Sequence, residues 1–302
     1  MTDLFVSVAG VKMKNPLIAV SGCFGFGREY DEYFDISLLG GISVKGLTLK
    51  PREGNPPPRA AEAFGGCLNS VGLQNPGVEA FLRDELPFLV KKDVAVIANI
   101  SGGSPEEYGE MAGLIGDSVD MLEVNISCPN LNKDGVNFSN DPRSAAGVTE
   151  AVKKTAKVPV CVKLSPNVTD IASVALACKD AGADALSLIN TLLGMRIDIE
   201  TRRPALRMNT GGLSGPAIFP VAMRCVWQVA TATGLPVIGM GGVSDGLDAA
   251  EMMMAGASAV GIGTALFQDP YAPERILREL TDWCEGHMVD RVSDLTGSVE
   301  AY

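Results

Sequence analysis

A chain of 302 residues that is 46% apolar, 6% aromatic and carries 34 glycines suits an alanine- and valine-rich α/β core with many tight turns. Its formal charge of −11 argues against nucleic acid as the main partner, because binding phosphates requires a clustered basic face. One histidine, His287, and seven cysteines without a Cys-x-x-Cys spacing exclude a disulfide framework, a zinc or iron–sulfur set and histidine-based acid/base chemistry.

The segment LFVSVAGVKMKN predicts an N-terminal β-hairpin. Short apolar runs then recur at 16–22 (PLIAVSG), 41–46 (GISVKG), 94–100 (VAVIANI) and 120–127 (DMLEVNIS). Four more follow at 158–164 (VPVCVKL), 184–190 (DALSLIN), 235–242 (LPVIGMGG) and 258–266 (SAVGIGTAL). They are β-rich, bounded by Gly, Pro and Asp, and too short for helices. Helical patterns occupy 104–117, 141–156, 168–182, 219–234 and 245–256, several of them ending in glycine. Alternating strand and helix implies a parallel sheet, and eight such strands imply a (β/α)₈ TIM barrel with its site at the C-terminal strand ends. No break in composition divides the chain, so a single barrel domain over 1–302 is expected. The stretches 47–81 and 191–216 read as inserted loops on the C-terminal face. No apolar stretch approaches the roughly 18 residues of a membrane span, and MTDLFVSVAG lacks the pattern of a secretory signal. A cytoplasmic location is expected.

The strand ends carry the functional signal. Ser21 and Gly22 follow the first strand, and Lys45 closes the second. Asn99, Asn125, Lys163 and Asn190 close the third to sixth. A structural barrel needs no polar side chain at these points, whereas a site built on one face does. Gly241 and Gly242 after the seventh strand, and Gly263 and Thr264 after the eighth, suit close approach of backbone N–H groups to a phosphate. No G-x-G-x-x-G follows a strand, so a Rossmann site is unsupported. That leaves a mononucleotide cofactor or a phosphorylated substrate.

Lys45 and Lys163 each sit inside an apolar run and project into the same mouth. One ammonium suits the electron-rich edge of a reduced flavin, and the other could bridge cofactor and substrate. Cys128 follows Asn125 and Ser127 and precedes Asn130, a polar setting for a thiol. With an ordinary pKa of about 8.5 it is the candidate proton-abstracting base; the alternative is an inert buried thiol. The polar loop 129–142 that follows is long enough to cover a ligand.

Taken together, NISCPN at 125–130, SVKGLTLKPREGNPPPR from Ser43, NSVGLQNPG at 69–77 and the GMGG and GIGT pairs resemble the catalytic subunit of class 1 dihydroorotate dehydrogenase. The resemblance spans essentially the whole chain. It implies an FMN-containing barrel, one FMN per chain, that oxidises dihydroorotate to orotate in pyrimidine synthesis. Cys128 takes the position of the base that removes the C5 proton, while hydride leaves C6 for the flavin N5. Asn69, Ser70, Val71, Gly72, Leu73, Asn125, Asn190 and Thr191 correspond to positions gripping orotate, with Asn130 helping. Lys45 corresponds to the residue touching both FMN and substrate. The flavin shell corresponds to Ser21, Gly46, Asn99, Asn125, Lys163 and Ile189, with Gly215, Gly241, Gly242, Gly263 and Thr264. No metal site is implied.

The membrane-bound class of this activity carries serine as base and an N-terminal extension, so cysteine at 128 implies the soluble class. SVGLQNPGVEAF is similar to the NAD-linked branch, where the fumarate branch tends to show SMGLPN. That branch implies an electron-transfer partner subunit carrying FAD and a 2Fe–2S cluster, in a heterotetramer around a homodimer core. The alternatives are a fumarate-dependent dihydroorotate dehydrogenase, a related dihydropyrimidine dehydrogenase, and a phosphate-binding barrel without redox chemistry.

Overall fold

The computed structural model describes residues 2–127 and 138–302. Val6 and Val8 face inward and Ser7 outward, and this alternation pairs β1 (Val6–Val8) with β2 (Val11–Met13) as the expected antiparallel hairpin. Lys14, just past β2, pairs at 2.6 Å with Asp93, which precedes a barrel strand, so the hairpin lies across the N-terminal end of the barrel.

The strands continue in chain order as β3 (Leu17–Ala19), β4 (Gly41–Ser43), β5 (Ala60–Ala63), β6 (Gly66–Asn69), β7 (Ala95–Ile100) and β8 (Met121–Asn125). Then come β9 (Val160–Lys163), β10 (Ala185–Leu188), β11 (Leu192–Gly194), β12 (Ile197–Asp198), β13 (Arg203–Pro204), β14 (Gly211–Ser214), β15 (Val237–Met240) and β16 (Ala259–Ile262). Strands β3, β4, β7, β8, β9, β10, β15 and β16 are hydrogen-bonded in that order, all parallel, and β16 returns to β3 to close the barrel. These are the eight runs read from the sequence. Side chains on both faces of the wall are buried, which is why the strands read as unbroken apolar runs rather than alternating ones.

The first βα connection has only a short turn, α1 (Ser21–Phe24), and two 3₁₀ turns. The second contains α2 (Val78–Ala80) and α3 (Leu86–Leu89), joined by a π turn. Longer helices follow as α4 (Pro105–Ile115), α5 (Pro142–Lys153), α6 (Ile171–Asp180), α7 (Phe219–Thr233) and α8 (Gly246–Met254). Helix α4 buries Tyr108, Met111, Ala112 and Ile115, the spacing of one helical face, and α5 repeats it with Ala145, Val148, Thr149 and Val152. The starts are set by side-chain caps: Ser104, Asp141, Asp170 and Asp245 each accept a backbone N–H in the first turn.

Two features differ from the sequence reading. The eighth strand stops at Ile262, because Gly263 and Thr264 turn the chain into α9 (Ala265–Gln268), and the chain continues into α10 (Ala272–Gly286), an amphipathic helix that the pattern search passed over. The two inserted loops also contain strands. β5 and β6 from one join β11 and β14 from the other in an antiparallel sheet of order β11-β14-β6-β5. Small residues permit this close pairing: a β-carbon on Gly215 would lie 2.6 Å from Gly66 Cα. Among the described residues, no helix is long and apolar enough to cross a membrane.

A candidate active site at the C-terminal mouth of the barrel

The C-terminal ends of the barrel strands and the sheet built from the insertions enclose a cavity of about 870 Å³. That is near the upper end of the roughly 300–1,000 Å³ usual for small-molecule sites. Every site residue expected from the sequence that falls within the described residues lines it, from Ser21 after β3 round to Gly263 and Thr264 after β16. Cys128 and Asn130 lie outside the described residues.

The polar floor comes from the barrel strands. Asn99 ends near the top of β7, and its Nδ2 donates to Glu123 Oε2 at 2.5 Å. Glu123, on β8 and 1% exposed, also accepts from Ser43 Oγ and Ser187 Oγ, each at 2.7 Å. Lys163 on β9 places its ammonium 4.0 Å from the same carboxylate. Burial by itself would raise the Glu123 pKa, but the Lys163 charge and the three hydrogen bonds outweigh it and hold the carboxyl below its ordinary range. Glu123 was absent from the expected set. Its only signal was one acid inside the apolar run DMLEVNIS, where an unpaired charge would be costly.

A second polar group stands on the side of β8 and β10. Asn190 Nδ2 donates to Ser127 Oγ at 2.8 Å and lies 3.3 Å from Asn125 Oδ1. Ser127 Oγ in turn donates to Asn125 Oδ1 at 3.0 Å, and Tyr108 Oη fixes the Asn125 carbonyl at 2.7 Å. Asn190 Oδ1 accepts from the Thr191 N–H at 2.8 Å. Ser127 and Asn167, which tethers the Thr191 carbonyl at 3.0 Å, are further cavity residues the sequence reading did not select.

The stretch from Asn69 to Leu73 forms the wall contributed by the first insertion. Asn75 holds it in shape: its Nδ2 donates to Leu73 O at 2.7 Å, and its Oδ1 accepts from the Thr48 and Gly77 N–H groups at 3.1 and 2.9 Å. Asn55 ties the Ser70 carbonyl at 2.9 Å. On the opposite side, Gly241 and Gly242 adopt φ of +126° and +90°, conformations in which a side chain is strained. There a β-carbon on Gly242 would meet the Gly215 carbonyl at 2.9 Å and the Phe219 nitrogen, at the start of α7, at 2.9 Å.

Two buried side-chain atoms among the described residues have no hydrogen-bond partner, Ser70 Oγ and Asn99 Oδ1, and both residues line this cavity. Lys45 and Lys163 give it positive character. Two thiols also reach it, Cys23 and Cys67, the latter 3.4 Å from Ser214 Oγ. Burial, with a smaller contribution from Cys67, pushes the Cys23 thiol up to about 12 against the pull of Lys163 and Lys45. No cluster of potential metal ligands occurs among the described residues.

Residues 3–283 match the family model described as dihydroorotate dehydrogenase. A protein of Citrifermentans bemidjiense named dihydroorotate dehydrogenase B (NAD(+)), catalytic subunit, is 54% identical over 302 residues, covering 99% of this chain and 98% of that one. Proteins of the same name from Geobacter sp. strain M21 and Caldicellulosiruptor bescii are 53% and 51% identical, again over at least 98% of both chains. A barrel mouth with the expected lysines and asparagines, matched end to end by such relatives, places this chain in the dihydroorotate dehydrogenase family.

Proposed function

We propose that this chain is the catalytic subunit of an NAD-linked dihydroorotate dehydrogenase, oxidising (S)-dihydroorotate to orotate for pyrimidine synthesis. The observation that carries the reading is the pairing of two lysines with orphaned buried polar atoms in one large cavity. Such atoms are costly unless a ligand satisfies them. The residues present fit FMN: the cavity is roomy, and Asn99 Oδ1 offers an acceptor for a ring or ribityl donor. Gly241, Gly242, Gly263 and Thr264, which follow β15 and β16 and line the cavity, offer backbone N–H groups for the phosphate. When bound, the flavin supplies a two-electron acceptor for the hydride from C6 of the substrate.

The chain's own residues do the remaining work. Lys163 places a positive charge at the cavity floor, where an electron-rich ring gains most from it. Lys45 stands where it can touch both ring systems. Asn69 to Leu73, Asn125, Asn190 and Thr191 surround the space for the pyrimidine acid, and the Asn125–Ser127–Asn190 hydrogen bonds fix the amide directions. Cys128, the residue after Ser127, takes the C5 proton. With His287 the chain's one histidine and far along the sequence, the thiol is the fitting base. The relatives' names, which include NAD(+) and a catalytic subunit, support passing the electrons to a partner subunit. That partner would carry FAD and a 2Fe–2S cluster, two copies of each chain assembling around a homodimer of this one.

The test is spectroscopic and kinetic. The purified chain should hold FMN, absorb near ~450 nm, and bleach on anaerobic addition of dihydroorotate. Reduction of NAD+ should require co-expression with the electron-transfer subunit. A colourless chain that takes up no FMN would overturn the redox reading, and turnover with fumarate but never with NAD+ would overturn the branch.

A further inference from the structure

We propose that Glu123 is a positioning residue: its carboxylate, clamped by two serines, turns the Asn99 carbonyl into the cavity and keeps the Lys163 ammonium at its floor. The inference rests on the flavin reading above and extends it to a residue that lies beneath the cavity lining.

An ionised carboxylate accepts hydrogen bonds and cannot donate one. Glu123 Oε2 lies 2.5 Å from the Asn99 amide, so the amide must present its Nδ2 there. Its Oδ1 is thereby directed elsewhere, and that is the atom left buried without a partner beside the cavity. A neutral amide at this position could turn over and offer either end; the acid beneath it removes the choice. The site is thus committed to a ligand group that donates, an N–H or O–H, at that point.

The same oxygen faces Lys163. The lysine is 6% exposed, and a buried charge is costly unless an opposite charge pairs with it. Glu123 supplies that anion at 4.0 Å. It cannot swing away, because Ser43 Oγ holds Oε2 and Ser187 Oγ holds Oε1, each at 2.7 Å and from strands on different sides of the barrel. Among the described residues, Cys161 on β9 and Cys23 in α1 also interact with this pair, and Lys45 after β4 interacts with Cys23. Burial pushes both thiols well above their ordinary range, so neither changes charge between pH 7 and 9.

The experiment measures FMN affinity of the apoprotein by quenching of free FMN fluorescence, from pH 7 to 9, with folding checked by circular dichroism. Glu123→Gln keeps the volume and an acceptor oxygen for Asn99 but removes the charge. Because its amide can offer Asn99 either end and leaves the Lys163 charge unpaired, it should bind FMN at least threefold more weakly than the parent across this range. Glu123→Met removes the acceptor as well, and should bind at least tenfold more weakly than Glu123→Gln already at pH 7.

A merely structural role predicts that the isosteric Gln variant binds FMN as tightly as the parent, and that outcome overturns the charge role. Equal binding by the Gln and Met variants at pH 7 overturns the orienting role. Failure of the parent to bind FMN at any pH is a different result, and it would instead refute the flavin reading.

Discussion

Replacing Asn75 by alanine tests whether the wall at 69–73 depends on one buried amide. Asn75 is 6% exposed and makes no contact that depends on a ligand. Its removal strips a partner from the Thr48 and Gly77 N–H groups and from the Leu73 carbonyl. The Thr48 hydroxyl is spared, since it also bonds Lys50 O at 2.6 Å. A buried group left unsatisfied costs about 1–3 kcal/mol. The two N–H groups bear that cost, while the Leu73 carbonyl can find water beside the cavity. The total is about 2–6 kcal/mol, a large share of the roughly 5–15 kcal/mol that holds a typical domain together. Taking ~2–3 °C per kcal/mol for a chain of this size, the melting temperature should fall by about 4–18 °C. Steady-state kinetics on the assembled enzyme should show KM for dihydroorotate raised at least tenfold, with FMN content largely retained, because most residues proposed to hold the flavin, Lys163, Gly241, Gly242, Gly263 and Thr264 among them, lie on or after other strands. A melting temperature within 2 °C of the parent would refute the assignment of the loop's rigidity to Asn75. A large drop with an unchanged KM would remove 69–73 from the substrate site.

Three further outcomes are expected. Cys128→Ala should keep FMN and lose turnover by roughly 10²–10⁴-fold, the span for a missing general base; near-normal turnover would remove the thiol from the reaction. Gly242→Ala, at φ +90°, should cost about 1–3 kcal/mol in denaturant unfolding and weaken FMN binding at least tenfold, and an unaltered affinity would place the phosphate elsewhere. Cys23, whose pKa is raised to about 12, carries its thiolate only as pH approaches that value. At pH 8 about one molecule in 10⁴ is ionised, so peptide mapping after iodoacetamide should find it unlabelled in the native protein and labelled in denaturant. Rapid native labelling would contradict the raised pKa.

The barrel was readable because its strands are buried on both faces and punctuated by Gly, Pro and Asp, so a run such as VAVIANI has one comfortable fate. The site was readable for a related reason: Lys45, Asn99, Lys163 and Asn190 are polar interruptions of apolar runs at the strand ends. What the pattern did not carry was pairing between distant segments. AAEA and GCLN look like loop, and they become strands because the second insertion supplies β14 as a partner for β6. Glu123 was overlooked since a single acid in a strand has meaning only once Ser43, Ser187 and Asn99 are seen around it. Helix α10 has a clear apolar stripe of Ile276, Leu280 and Cys284, but it follows the last strand and so fell outside a search for connections between strands.

The sheet that joins the two insertions has a bearing on how such a pocket can diversify. β6 runs directly into the Asn69–Leu73 segment, while β11 begins just past Asn190 and Thr191, and β14 lies hydrogen-bonded between them. A length change or a shifted register in either insertion would drag residues of the other, so neither half can drift independently. New ring preferences would then have to arise by matched changes in segments more than a hundred positions apart, a coupling that no scan of one loop alone would reveal.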